Sequence, residues 1–348
     1  MRNKIIKTIE KYCISKPVIL TGPYSKTFEV FFNKQLVEYY KNKNVLLINK
    51  DFPMDHLFSF IKSSLDTNKH DIYLINNICE CPDCDSIINL FVNSKTAHLI
   101  ATSNINLNLA NTNNRGRIAT IYFPPFQYED YLESNHSSLI DYLKANIDDL
   151  SIALSDYKYK DDALKIYKTI IDQISYPISF PSLYSSSNVN VSLNTFVKIY
   201  NYLENRGYVY GIQKMDVSTM EPLSNTLYIY PSFISNIIDE SKSNEVVTKR
   251  VLESCVVSKL IYERNLLYRI HSKPSENKPI LNTFYVIGEN DRYLLHIFFD
   301  GNEERLMQFV KYKFYFKKYV LVMDSIDKYT DEYGVTYINV YDFLKKGI

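Results

Sequence analysis

The stretch Thr21-Gly22-Pro23-Tyr24-Ser25-Lys26-Thr27 sets a glycine, a lysine and a hydroxyl in the order that grips phosphate. In a phosphate-binding loop, backbone N–H groups and a helix N-terminus cradle the anion, the lysine reaches the outer phosphates and the hydroxyl ligates magnesium. The full pattern spaces its first glycine from the lysine by about five residues, the last of them glycine. Here Pro23, Tyr24 and Ser25 alone intervene, which shortens the wrap around a β-phosphate. The same residues also read as an ordinary strand-to-helix turn with a surface lysine. Asn76 and Asn77 follow the third apolar run of the chain, where nucleotide hydrolysis needs one acid to hold magnesium and another to polarise water. Amides take no proton and bind magnesium far less well than carboxylates. Asp71 precedes that run, at its wrong end. Thr102-Ser103-Asn104 closes the fourth run and offers polar groups to a γ-phosphate, or else a capped loop. Gly22, Lys26, Thr27, Asn76 and Thr102 are thus candidate nucleotide contacts, with no catalytic acid among them.

Cys79, Cys81 and Cys84 also sit close together. Zinc usually takes two ligand pairs, and Cys13 and Cys255 are far away in sequence, although His56 or His70 could complete a site by folding. The preferred reading is free thiols on a strand-to-helix turn in a reducing compartment, with no metal assigned.

Strands and helices must alternate to position these residues. Val18-Ile19-Leu20, Val45 to Ile48, Ile72 to Ile75, His98 to Ala101 and Ile118 to Phe123 are short apolar runs that read as strands. Phe28, Phe31, Phe32, Leu36, Val37 and Tyr40 recur at helical spacing after the first run, Leu57, Phe58, Ile61 and Leu65 after the second, and residues 85–93 follow the third. Residues 1–12 read as an amphipathic helix. This alternation predicts a parallel sheet covered on both faces, with ligands beyond the carboxyl ends of its strands. Chemistry is therefore expected after Leu20, Ile75 and Ala101.

A chain of 348 residues calls for two or three domains. Its net charge of +1 excludes a bulk field that would draw it onto nucleic acid or membrane, so polyanion binding must come from local patches. The chain has eight glycines, where a share of about 7% would give roughly 24. Glycine-dependent loops are scarce. There is no secretory signal or membrane-length apolar run, which predicts a cytoplasmic protein without membrane contact.

Taken together these stations resemble the bacterial and archaeal AAA+-superfamily ATPases that carry a winged helix and a C-terminal restriction-endonuclease-like domain. Gly116-Arg117-Ile118-Ala119-Thr120-Ile121-Tyr122-Phe123-Pro124-Pro125-Phe126-Gln127-Tyr128-Glu129-Asp130-Tyr131-Leu132 is similar to the family's Gly-Arg, strand, Pro-Leu-Ser-Phe-x-Glu-Phe-Leu signature. Asn76-Asn77-Ile78-Cys79-Glu80-Cys81-Pro82 stands where the family has Asp-Glu-Ile-Gln-x-Val-Pro. The resemblance implies an α/β P-loop NTPase-like domain at 1–135, a helical lid or linker at 136–178, a winged helix at 179–240 and a nuclease-like domain at 241–348. It implies ATP and magnesium as cofactors, with Lys26 and Thr27 as surviving phosphate-loop residues. Arg117 would act on nucleotide or on a neighbouring subunit, or else serve as a salt-bridged arginine at a strand start. Asn76 and Asn77 occupy the places of the magnesium aspartate and the catalytic glutamate. The implied protein is a degenerate relative that acts in binding and assembly, with or without dependence on nucleotide; an active ATPase using Glu80 or Asp83, and a DNA-binding regulator working through the winged helix, are the alternatives.

Residues 137–174 carry helical apolar stripes, and a serine- and asparagine-rich stretch, 180–190, leads to a helix capped by Ser192 with Phe196, Ile199, Tyr200 and Leu203 inward. Gly207 ends that helix and a hairpin follows, which is winged-helix order. Lys198 and Arg206 are its cations, candidates for DNA contact, with a protein-contact or packing role as the other reading. In the last domain a nuclease would need a helix glutamate, a strand aspartate and Glu-x-Lys to hold magnesium and orient water. Glu253 matches the first, while Thr283 (or Asn282) and His296-Ile297-Phe298 replace the others. Lys311, Lys313, Lys317 and Lys318 interleave with Tyr312, Phe314, Tyr315, Phe316 and Tyr319, which suits nucleic acid or an amphipathic helix with solvated lysines.

Overall fold

The computed structural model describes residues 2–22, 26–49, 51–103, 116–123, 128–135, 137–139, 141–142, 150–154, 157–173, 179–216, 222–229, 244–263, 266–271, 283–288, 290–299, 301–313 and 315–348. The chain divides into two compact units, one of residues 1–125 with 205–207 and one of residues 126–204 with 208–348.

In the first unit, helix α1 (Arg2–Cys13) leads to β1 (Val18–Thr21) and then α2 (Lys26–Val30). α2 runs on through a π-helical stretch (Phe31–Leu36) and a closing turn (Val37–Tyr39). Next come β2 (Val45–Ile48), α3 (Leu57–Asp66), β3 (Ile72–Ile75), α4 (Cys84–Val92), β4 (His98–Ser103) and β5 (Ala119–Tyr122). The five strands form one sheet in the order β2-β3-β4-β1-β5, and every neighbouring pair is parallel.

Side-chain alternation explains the continuous apolar runs. Val18, Leu20, Ile72, Leu74 and Ile100 pack with Ile5 and Ile9 of α1 and with Phe28, Phe31 and Phe32. Ile19, Tyr73, Ile75, Leu99 and Ala101 pack instead with Leu57 and Ile61 of α3 and Ile87, Ile88 and Phe91 of α4. The inner strands β1, β3 and β4 thus bury both faces, as a helix-covered parallel sheet requires, while at the edge β5 leaves Thr120 exposed.

The second unit opens with a short helix α5 (Tyr128–Leu132) and a turn at Leu150–Ala153, then α6 (Lys160–Asp172), α7 (Phe180–Ser186) and α8 (Leu193–Asn205). α7 lies in the stretch read from sequence as a serine-rich connector. Ser179 Oγ accepts from the Ser182 N–H, and Pro181 in the first turn costs no helical hydrogen bond. Ser192 caps α8 by accepting from the Thr195 N–H, as its position predicts.

Strands β6 (Val209–Asp216) and β7 (Pro222–Ile229) form an antiparallel hairpin, and α9 (Asn244–Tyr262) follows. The remaining elements are β8 (Leu266–His271), β9 (Thr283–Ile287), β10 (Arg292–Phe298), α10 (Glu303–Lys311), β11 (Lys317–Val322), β12 (Tyr329–Thr330), β13 (Val335–Asn339) and α11 (Val340–Lys346). They form an eight-stranded sheet, β12-β13-β11-β10-β9-β8-β6-β7. β8, β9 and β10 are an antiparallel meander, and β10, β11 and β13 run parallel. β6 also pairs in parallel with β8, so one sheet takes in strands from both sides of residue 240.

One reading is corrected here. Residues 317–319 are strand, not the continuation of an amphipathic helix, and Lys318 is buried rather than solvated. Its Nζ donates to the carbonyl oxygens of Phe309, Val310 and Tyr312 at 3.3, 2.5 and 3.0 Å. These carbonyls close α10, where the helix dipole favours a cation. Burial lowers the Lys318 pKa, and the Asp331 charge opposes that shift.

Candidate functional site

The strand order decides where a ligand could sit. From β1 the chain moves towards β2 at one edge, whereas from β4 it crosses to β5 at the other. In an open parallel sheet, neighbours whose connections diverge form a crevice at their carboxyl ends. β1 and β4 are such neighbours, with Leu20 opposite Thr102 and Thr21 opposite Ser103. β3 lies on the far side of β4, with Ile75 opposite Ala101. The groups at this end are therefore Thr21, Gly22, Asn76, Asn77, Thr102 and Ser103, all hydroxyls, amides or bare backbone.

Asn76 and Thr102 come together here, both nearly fully buried. The Thr102 hydroxyl donates to Asn76 Oδ1 at 2.8 Å and accepts from the Asn77 N–H at 2.7 Å. Asn77 adopts a left-handed conformation, with φ 57° and ψ 48°. Asparagine tolerates that region better than glutamate does. Its Oδ1 accepts from Cys79 Sγ at 3.0 Å. Asn77 is therefore a turn residue that closes β3 and opens a 3-10 turn (Ile78–Glu80), and its place cannot supply a base.

Gly22 follows β1 against β5. The Phe123 N–H donates to the Thr21 carbonyl at 2.7 Å, and a Cβ built on Gly22 would stand 2.3 Å from the Phe123 carbonyl oxygen. The glycine is required for this close approach whatever else it does. α2 begins at Lys26, so Lys26 and Thr27 open the helix as the motif demands. Their side chains, and residues 23–25, lie outside the described residues, as does Asn104.

Arg117 is exposed, two residues before β5. The Ala119 N–H donates to the Pro17 carbonyl, which precedes β1, so Arg117 lies at the amino end of the sheet. The structure thus places it away from Gly22, Asn76 and Thr102. Lys198 is exposed on α8, and Arg206 follows that helix, half-buried.

Magnesium can be tested against these groups. The carboxyl ends of β1, β3 and β4 carry no carboxylate, and the Asn76 oxygen is already engaged by a hydroxyl proton. Glu80 and Asp83 are exposed on the turn beyond. Among the described residues the donor set does not fit a divalent cation; the Thr27 hydroxyl lies outside them. Cys79, Cys81 and Cys84 lie near one another but are engaged separately: Cys79 bonds Asn77, while Cys81 Sγ donates to the Met54 carbonyl at 3.4 Å. Burial raises the Cys81 thiol pKa and pushes that of Cys84 up to about 12, which leaves both as thiols. Among the described residues, no group of three His, Cys, Asp or Glu side chains is placed to hold a metal ion.

In the C-terminal unit Thr283 and His296 are register partners, and their side chains hydrogen-bond at 2.7 Å between Oγ1 and Nδ1. His296 stacks on Phe309 of α10 with ring centroids 5.0 Å apart. Glu253 is buried on α9. The two strand positions read against a nuclease's aspartate and Glu-x-Lys thus hold a threonine–histidine pair. Sequence reasoning missed the role of Lys318; its place after the aromatic run Tyr312 to Phe316 is a weak signal of burial.

No protein-family profile and no curated protein matches the chain. Among solved structures, a chain from Drosophila ORC bound to AT-rich DNA and Cdc6 aligns at 17% identity and TM-score 0.24, covering 66% of this chain and 89% of that one. Drosophila ORC bound to GC-rich DNA and Cdc6 gives 14% identity and TM-score 0.26, with coverages of 64% and 89%. The Aeropyrum pernix ORC1 protein in complex with DNA gives 11% and 0.31, with coverages of 74% and 94%. Scores this low carry no argument, so the α/β assignment rests on the strand order and register. Among the described residues no helix is long and apolar enough to cross a membrane.

Proposed function

We propose that this chain is a degenerate AAA+-like protein that binds nucleotide without hydrolysing it and works as a binding and assembly protein. The observation that carries this reading is the closed hydrogen-bond set Asn76–Thr102–Asn77 at the switch point of a five-stranded parallel sheet. The location is where a ligand would bind, and the chemistry is that of amides and a hydroxyl rather than acids. Lys26 and Thr27 at the start of α2 are the proposed phosphate contacts, supported by Gly22 and by the strand-loop-helix order. Arg117, exposed at the opposite end of the sheet, is proposed to reach the nucleotide of a neighbouring copy. The meander, α10 crossover and parallel strands after α9 support a nuclease-like scaffold, in which Thr283 and His296 stand in for metal-binding acids. Lys198 and Arg206 are proposed DNA contacts on α8, with a protein-contact role as the competing use.

Calorimetry with ATP, with and without magnesium, tests the reading. Binding that Lys26→Ala abolishes, with no phosphate release, is the expected result. Magnesium-dependent turnover lost in Lys26→Ala would overturn the non-hydrolysing part, and no ATP binding under either condition would overturn the nucleotide part.

A further inference from the structure

The amino ends of β10, β11 and β13 form a surface that the nucleotide reading does not use. These strands run parallel, with Tyr293 opposite Lys317 and Lys318 opposite Val335. α10 returns to the same end, because Lys318 caps its last carbonyls. That accounts for one lysine of the run 311–318. Lys311, Lys313 and Lys317 remain exposed, and none has an ion pair among the described residues. Arg292, which opens β10, is exposed beside them. Among the described residues the exposed acids at this end are Asp291, Glu332 and Glu263, the last paired with Lys259. Asp331 is engaged in its own turn, accepting from the N–H groups of Tyr333 and Val335 and from the Tyr337 hydroxyl. With Glu263 paired to Lys259, four cations face three carboxylates among the described residues, and residues 311–317, which carry three of those cations, contain no acid.

Tyr315 stands within this patch at 105% relative exposure, so its ring makes essentially no contact with the fold. An aromatic face left entirely in water contributes nothing to stability, whereas between cations it suits a base stacked beside its phosphates. A duplex keeps its bases stacked on one another and offers such a ring no face; a single strand does.

We propose that this end of the C-terminal sheet binds single-stranded nucleic acid, with Lys311, Lys313, Lys317 and Arg292 on phosphates and Tyr315 stacked on a base. The proposal stands apart from the nucleotide site and from Lys198 and Arg206. Fluorescence anisotropy of the full chain with labelled oligothymidylate tests it. Tyr315→Ala should weaken binding by roughly ten-fold, while Tyr315→Phe retains it. Replacing Lys311, Lys313 and Lys317 by Gln should lower the slope of log affinity against log salt by about 2, at roughly 0.7 per phosphate contact. The proposal is overturned by any of these results: no binding at about 50 mM salt, equal affinity of Tyr315→Ala, preference for blunt duplex, or displacement by polyglutamate as effective as by unlabelled oligothymidylate. All four side chains replaced are exposed, so the variants keep the fold, which circular dichroism verifies.

Discussion

Asn76→Asp restores the acid that a magnesium site would want, and the structure sets what this costs. Asn76 is 6% exposed, and its Oδ1 receives a single hydroxyl proton, from Thr102 at 2.8 Å. A carboxylate there keeps that bond but has no cation among the described strand-end groups. Burial of an unpaired charge is worth several kcal/mol, with a ceiling. At pH 7 an aspartate with an unfolded pKa of about 3.9 can take up a proton for about 4 kcal/mol, so the penalty stops there. We expect a loss of about 2–4 kcal/mol in unfolding free energy at pH 7, read from urea denaturation. Burial raises the folded pKa of the introduced carboxyl above its unfolded value. The penalty is therefore full above the folded pKa and shrinks as pH falls towards about 4. ATP with magnesium should stabilise Asn76→Asp more than the native chain, whose ATP affinity should hardly respond to the metal. An Asn76→Asp variant as stable as the native chain at pH 7, or one destabilised equally at pH 4.5 and pH 7, would refute the argument.

Further outcomes follow from the same geometry. Gly22→Ala forces a Cβ to 2.3 Å from the Phe123 carbonyl, so β5 must shift; a loss of about 1–3 kcal/mol is expected in the same assay. Thr102→Val removes a hydroxyl that both donates and accepts, stranding Asn76 Oδ1 and the Asn77 N–H; about 2–4 kcal/mol should be lost, and Thr102→Ser should recover most of it. Lys318→Met deprives three carbonyls at the end of α10 of their donor, and hydrogen exchange should show faster opening of that helix, at a cost of about 1–3 kcal/mol. Cys81 and Cys84 have raised pKa values, so iodoacetamide at pH 8 should modify them far more slowly than it does the unfolded chain, as read by mass spectrometry.

Much of the first unit was legible because its signals are local. Apolar runs of strand length, separated by residues at helical spacing, gave β1 to β5 to within a few residues, and covering both faces explains their lack of polar alternation. Capping and positive φ were legible where one residue type implies one geometry, as at Ser192 and Gly207. Strand β8 and helix α7 were not read. β8 has polar and apolar residues without clear bounds, and α7 is a short helix in a serine-rich stretch that its cap and tertiary packing hold.

The sequence alone determined which chemical groups are present: amides follow the third strand, a shortened loop precedes Lys26, and three cysteines sit together. The tertiary structure decided what those groups do. Strand order brings residues 26 apart in sequence into the hydrogen bond that occupies the Asn76 oxygen. The close approach of β1 and β5 makes Gly22 a steric necessity, and the crossover through α10 buries one lysine of a run while leaving the others to solvent. Periodicity reports which face a residue presents, because that depends on its own few neighbours in the chain. Which partner waits at that face depends on the order of the strands.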